Sequence, residues 1–311
     1  MGFVIGKRVL AAVPTLIGVT IILFITLRLL PGDPIAVLLA GAPVTPDVLA
    51  NLRAEFGFDQ SLPQQYWTFL INALHLDLGV SYSSRQPVTE LIAANIGATL
   101  QLALTAAAIS AVTGVVLGSL AAIRRNGLLD GAIRIVSLVN TSMPSFWSGL
   151  LLIMVFSFRL QWFPATGSGG LASLVLPALT LGLAAAGTVT RLVRNSVIEV
   201  LGENFVVALY AKGLRSQVVV MKHVLRNAVI PIVTIVGLQV GGLIAGSVIV
   251  EAVFTRQGIG QMLVSAIGSQ DYPVIQGVVL VIAVIYIVVN ILVDVSYAFI
   301  DPRVRSMLAA A

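Results

Sequence analysis

The chain has 311 residues, 58% of them hydrophobic and only 10% charged, with a mean hydropathy of +1.02. A soluble domain of this length has too little interior to hold so much apolar surface, so the hydrocarbon of a bilayer is its main solvent. There are no cysteines, which excludes disulfides, thiolate metal sites and cysteine nucleophiles.

Crossing the hydrocarbon takes about 20 mostly apolar residues, and six runs predict membrane helices, near 9–30, 97–123, 133–158, 173–190, 228–250 and 275–298. Lys7 and Arg8 precede the first run in the manner of a signal peptide. That run is longer than a signal core, so it reads as an uncleaved first helix. Pro31-Gly32-Asp33-Pro34 ends it with a turn cluster. About 65 residues then separate the first two helices, more than a simple connection needs. Within them Gln64 to Leu74 reads as a short helix carrying Tyr66, Trp67, Phe69, Leu70 and Leu74. These side chains suit a membrane interface as well as a partner surface. The same segment is acidic, with Asp33, Asp47, Glu55, Asp59, Asp77 and Glu90 against Arg53 and Arg85, and Asp59 and Asp77 are its candidate docking charges.

The second run carries Gly114 and Gly118, and the fifth carries Gly237, Gly241, Gly242, Ala245 and Gly246. Such spacing lets helix backbones approach closely within a subunit, or lines a pathway shared between subunits. Pro14, Pro144, Pro177 and Pro231 fall in or at the edges of the runs and are expected as kinks or helix starts. Gln101, Asn140, Thr141, Ser142 and Gln239 form a polar set inside the runs. They offer hydrogen bonds to a passing solute, or to one another between helices.

Between the fourth and fifth runs, residues 203–231 are basic and amphipathic. Leu214, Val218, Met221 and Leu225 fall on one helical stripe, and Lys222 and Arg226 form a separate cationic ridge. Gly213 interrupts the pattern and permits a reversal of the backbone. Amphipathicity alone fits a helical hairpin on the protein's own membrane helices, or a surface where a partner docks.

With a cytoplasmic amino terminus, thirteen of the 18 Lys and Arg fall inside. Arg28, Arg53, Arg85, Arg159 and Arg256 fall outside. This bias places both termini in the cytoplasm, and the net charge of +5 records topology without a nucleic-acid partner. No phosphate-binding GxxxxGK followed by Ser or Thr is present, since Gly6-Lys7 lacks the frame. Energy for transport must come from another chain or from an ion gradient. His75 and His223 are predicted on opposite sides of the membrane, which leaves no metal or nucleophilic centre, and no catalytic residue is assigned. Asp294, near the inner end of the sixth run, is the only acid well inside a run. A gradient-driven carrier, the competing function, would want ionisable residues at the midplane.

The spelling of several segments goes further. Gly213 within Ala211-Lys212-Gly213-Leu214, followed by His223, Arg226, Asn227, Ala228, Ile230 and Pro231, resembles the coupling motif of ABC importer permeases of the dipeptide, oligopeptide and nickel family. Pro31 to Pro34, residues 56–66 and residues 77–82 resemble the outer segment of its B-type subunit. Ser142 to Trp147, Leu176 to Leu179, Arg191 with Arg194, Gln257 to Gly260, Asp271 to Pro273 and Asp301 to Arg303 extend the resemblance along nearly the whole chain. One departure is local: Val207, Ala208 and Leu209 stand where importer permeases at large carry Glu-Ala-Ala.

The resemblance implies an all-α polytopic membrane protein of the importer-permease type with six transmembrane helices. It is a single permease domain over 1–311, with an extracytoplasmic insertion at 31–96 and a cytoplasmic coupling region at 192–227. It further implies a bacterial or archaeal cytoplasmic membrane and a C-type permease partner. Two cytoplasmic ATPase subunits would hold ATP and Mg, none of it bound by this chain, and an extracytoplasmic binding protein would deliver peptides, nickel chelates or another small solute. Phe205, Leu209 and Tyr210 are then the apolar anchors for an ATPase, Lys212 or Arg215 the rim charges, Gly213 the point where the element turns away, and Leu214 a further coupling residue.

Overall fold

The structure is a computed structural model that describes residues 2–29, 45–55 and 57–300. Pro31 to Pro34, Phe56 and Asp301 to Arg303 lie outside the described residues. The helices are α1 (Gly2–Leu29), α2 (Pro46–Glu55), α3 (Leu62–Leu74), α4 (Val88–Ile123), α5 (Leu128–Ser142), α6 (Ser145–Leu152), α7 (Ala172–Leu201), α8 (Asn204–Ala211), α9 (Leu225–Val253), α10 (Ile259–Gly268) and α11 (Tyr272–Ile300). Two wider π-helical stretches, Ile153–Arg159 and Val219–Val224, extend α6 and lead into α9.

Among the described residues five helical segments are long and apolar enough to cross a bilayer: Arg8–Leu29, Val88–Ile123, Ala172–Leu201, Ile235–Val253 and Tyr272–Val293. The third expected run differs. It is a broken pair, Leu128–Ser142 and Ser145–Arg159, bent by 108°. Pro144 is the cause: Met143 before it is extended (φ −79°, ψ 132°), and Pro144 itself is the first, non-helical residue of the next helix. Pro14 and Pro177 sit inside α1 and α7 without ending them. Helix α4 begins at Val88 and not near 97, because its first turns carry Thr89, Glu90 and Asn95, which a hydropathy run omits.

The chain divides into two compact units. The first holds Leu100–Arg256 with the described parts of Met1–Ile5 and Tyr286–Ala311. Helix α7 is its centre, with α5, α6 and α9 packed on it. Small residues set the spacing. A Cβ on Gly118 of α4 would lie 2.6 Å from the Thr190 carbonyl of α7, and one on Gly187 of α7 would lie 2.5 Å from the Ser137 carbonyl of α5. No side chain fits at either place, so the helices meet backbone to backbone. The buried hydroxyls of Thr180 and Thr190 donate to the Leu176 and Ala186 carbonyls one turn back, both at 2.8 Å, and add no unmet polar group. At one end Asp130, which is buried, accepts Arg194 Nε on Oδ1 and Nη2 on Oδ2, each at 2.7 Å. Its Oδ2 also accepts the Asn126 amide at 3.0 Å, tying the turn before α5 to α7.

The second unit holds Gly6–Thr99 and Gln257–Ile285. Its core gathers Leu27, Val88, Ile92, Ile259, Tyr272, Ile275 and Val278. Helix α3 starts at Ser61, whose amide and hydroxyl both donate to Gln64 Oε1 (3.2 and 2.9 Å). It docks on α1 by an edge-to-face pair of Tyr66 with Phe24 (5.4 Å) and a Tyr66–Thr20 hydroxyl bond of 3.0 Å. Arg28 donates to Gln65 and lies between the rings of Phe24 and Phe58. Tyr66 is therefore half-buried against α1, while Trp67 and Leu74 face outward.

Candidate functional site

Helix α8 follows α7 after a two-residue corner, Gly202 and Glu203, whose extended Glu203 (ψ 145°) redirects the chain. Its end is a Schellman closure: the Gly213 amide donates to the Tyr210 carbonyl (2.9 Å) and the Leu214 amide to the Leu209 carbonyl (3.3 Å), with Gly213 at φ +79°. The side chains of Leu209 and Leu214, the pair that this motif brings together, both pack on the cluster of Val189, Val193, Val197, Val206, Val219 and Val224. The reversal expected at Gly213 is present in the backbone.

One face of α8 is thus pinned by Val206, 1% exposed, and by half-buried Leu209. Phe205 (39% exposed) and Tyr210 (42%) border that pinned stripe on either side and Val207 (63%) lies opposite it, with exposed Lys212 and Arg215 beyond the helix end. Helix α8 lies outside the segments able to span a membrane, and the packing within the chain leaves these apolar side chains uncovered. Val206 and Val207 were not picked out from the sequence as the pivot and the most exposed apolar side chain. Val206 sits at i+3 to Leu209 and i+4 to Tyr210, and that spacing was the available signal.

The stretch after Gly213 buries a different set from the expected stripe. Val219, Val220, Val224 and Ala228 are buried, whereas Val218 and Met221 are exposed and Leu214 and Leu225 half-buried. The step of five from Val219 to Val224 is that of the π-helical turn, and the step of four to Ala228 that of the α-helix that follows. Lys222 and Arg226 remain an exposed ridge.

The polar set separates into three groups. Asn140, Thr141 and Ser142 close α5 at the break before Pro144, where Thr141 Oγ1 donates to the Ser137 carbonyl at 2.8 Å. Gln101 on α4 is exposed and its Oε1 accepts Arg256 Nη2 at 3.0 Å. Arg256 is 3% exposed, with Nε and Nη1 unpartnered, and burial lowers its pKa from the ordinary arginine value. It was missed in the sequence as a partner of Gln101. Gln239 is engaged between helices: its Oε1 accepts Ser110 Oγ (3.3 Å) and its Nε2 donates to the Ala185 carbonyl (3.2 Å).

In the second unit Asp77 Oδ1 accepts the Gly79 amide at 2.9 Å and closes a turn, while Asp59 is exposed. Buried Asp271 organises the loop before α4, accepting Ser81 Oγ (2.6 Å) and the amides of Tyr82 and Ser83 (3.1 Å each). Burial pushes the Tyr82 phenol up to about 12, so it stays protonated at neutral pH. Among the described residues no cluster of His, Asp and Glu could hold a metal ion.

Five helices able to span a membrane and a broken pair among the described residues, with a short helix outside them that exposes apolar side chains, fit a membrane permease subunit. Residues 114–306 match the family model "Binding-protein-dependent transport system inner membrane component", and residues 1–103 match its N-terminal companion. The glutathione transport system permease protein GsiC of Pectobacterium atrosepticum is 42% identical over 96% of this chain and 97% of its own. That of Escherichia coli K12 is 41% identical over the same shares. Among solved structures, an inward-facing form of the MetNI methionine ABC transporter aligns with TM-score 0.59 and 20% identity, over 68% of this chain and 96% of that one. The chain belongs to the family of binding-protein-dependent inner-membrane transport components: it is an ABC importer permease, with the features of the B-type subunit of the dipeptide, oligopeptide and nickel branch. The ion-gradient carrier is set aside by that membership.

Proposed function

We propose that this permease carries di- or oligopeptides inward, short peptides of the glutathione kind included, across the cytoplasmic membrane of a bacterium or archaeon. By the charge bias, both termini and α8 lie in the cytoplasm and residues 31–96 lie outside. A C-type permease completes the pathway. Two ATPase subunits, which bind ATP and Mg, receive the inner loops, and a binding protein delivers cargo from outside. The exposed apolar side chains of α8 carry this reading. Phe205 and Tyr210 at the two borders of the pinned stripe, with Val207 opposite it, enter an ATPase groove, while Val206 and Leu209 hold the helix to α7 and the start of α9. Closure of the ATPases on ATP pushes α8 against that valine cluster and so moves α7 and α9, rocking the subunit between inward-facing and outward-facing states. Gln101, Asn140, Thr141 and Ser142 are proposed pathway contacts. Gln239 has a packing role that competes with one in the pathway.

The test is the chain co-purified with its second permease and ATPases in lipid vesicles, with binding protein loaded in turn with a dipeptide, glutathione or a nickel chelate. Peptide-loaded binding protein should stimulate ATP hydrolysis and drive uptake. Stimulation by the nickel chelate alone would overturn the peptide assignment and leave the permease role standing.

A further inference from the structure

A cavity of about 620 Å³ opens between the first half of α5 and the last third of α7, lined by Gly131, Arg134, Ile135, Leu138, Arg191 and Arg194 among others. Three guanidiniums line it, and the carboxylate beside them is Asp130. Both Asp130 oxygens are occupied by Arg194, and one also by the Asn126 amide. Arg134 and Arg191 are exposed and have no carboxylate in ion-pair reach among the described residues. The cavity therefore carries two uncompensated positive charges on a floor fixed by a buried, bidentate ion pair.

The α5 wall that carries Arg134 also carries apolar side chains. Ile135 and Leu138 are 65% and 56% exposed and lie at i+4 and i+7 from Gly131, on one side of α5. Arg134 begins the apolar run 133–158, and Arg191 directly follows the run 173–190. Both cations therefore stand at the depth where hydrocarbon gives way to headgroups. Nothing lies within 4 Å of where a Cβ on Gly131 would be, so the wall is open there.

We propose that this cavity binds the headgroup of an anionic phospholipid, with the phosphate between Arg134 and Arg191 and an acyl chain along Ile135 and Leu138. The chemistry requires a ligand that is anionic at one end and apolar at the other, at headgroup depth. A lipid phosphodiester meets all three demands; a free phosphate meets only the first. Two cations at a membrane surface are together worth roughly 30-fold in affinity for an anionic lipid. The site reads the bilayer and does not depend on which solute the permease carries. Bound lipid would bridge α5 and α7 beside the Asp130–Arg194 pair, next to the helix that leads into α8.

The experiment is native mass spectrometry of the full-length chain in detergent, titrated with phosphatidylglycerol or phosphatidylcholine, with and without excess inorganic phosphate. Wild type should retain phosphatidylglycerol roughly 30-fold better than phosphatidylcholine. The double substitution Arg134→Gln with Arg191→Gln should erase that preference. Gly131→Leu keeps every charge, favours the helix and puts a side chain into the open space beside Ile135, where an acyl chain would lie, so it should weaken the preference too, and it carries the test if the arginine variant fails to fold. Undiminished binding by Gly131→Leu would mean that charge acts without this cavity and would overturn the proposal. So would equal retention of the two lipids by wild type. Complete displacement by inorganic phosphate would assign the site to a soluble anion and defeat the lipid.

Discussion

Gly213 shows how one residue sets a functional geometry. At φ +79° it occupies a conformation that a β-branched side chain resists, and the two hydrogen bonds around it bring Leu209 and Leu214 to the same valine cluster. Gly213→Val should cost about 2 kcal/mol locally and tilt α8. We expect an inserted, assembled complex that has lost substrate-stimulated ATP hydrolysis; retained stimulation would place coupling elsewhere. Asp130 and Arg194 make the contrasting case, since their pair holds helices and not a partner. Replacing Asp130 with Asn leaves a cation without its carboxylate. The loss should lower the melting point, tempered because the Arg194 side chain keeps 16% exposure and can be reached by water. A melting measurement in detergent checks this, and an unchanged midpoint would show the pair to be fully solvated in the protein.

Among elements, α4 and α7 meet through glycine, so their contact is sensitive to a single carbon atom. Gly118→Val would press side-chain atoms onto the Thr190 carbonyl, which a Cβ alone would already approach to 2.6 Å. It should destabilise by about 3 kcal/mol or more and reduce the yield of folded chain, whereas Gly242→Ala on α9, with nothing within 4 Å of the added atom, should be neutral. Expression and melting of the two variants side by side check the contrast. The close approach was legible in the GxxxG spacing, and the apolar spans were legible in hydropathy, because both are short-range patterns that a bilayer enforces. What escaped the sequence was set by register and by distant partners. Pro144 was expected as a kink or a helix start and caps the next helix, but the size of the 108° bend follows from the extended Met143. The buried face after Gly213 shifted to Val219 and Val224 because a π-helical turn adds a residue that a fixed 3.6 period cannot foresee. Asp271 stood out only as part of a family signature, since its ligands Ser81, Tyr82 and Ser83 lie far away in the chain.

At the scale of the whole molecule, orientation and delivery are the properties to test. Single cysteines introduced at Ser84 and Gln217, both exposed, should react with an impermeant reagent from opposite sides, Ser84 from outside; reaction from one side would end the proposed topology. The second property concerns Asp59 and Asp77, the candidate docking charges of residues 31–96 for the binding protein. The fold distinguishes them. Asp77 accepts the Gly79 amide, so its reversal would disturb a turn as well as a field. Asp59 is exposed, with no hydrogen bond or ion pair among the described residues. It is the cleaner probe of a purely electrostatic role. Charge on an exposed rim acts on encounter rate and not on the bound state, and its reach is about 10 Å at 0.1 M salt. Asp59→Lys should therefore slow association of the binding protein on the order of a few-fold at low salt, with the effect fading as salt rises and with melting and basal ATP hydrolysis unchanged. Asp77→Lys should slow association and lower the melting point together. Equal association rates for Asp59→Lys and wild type at low salt would mean that the binding protein approaches without sensing this segment's charge, and the acids would then keep only their local work in turns.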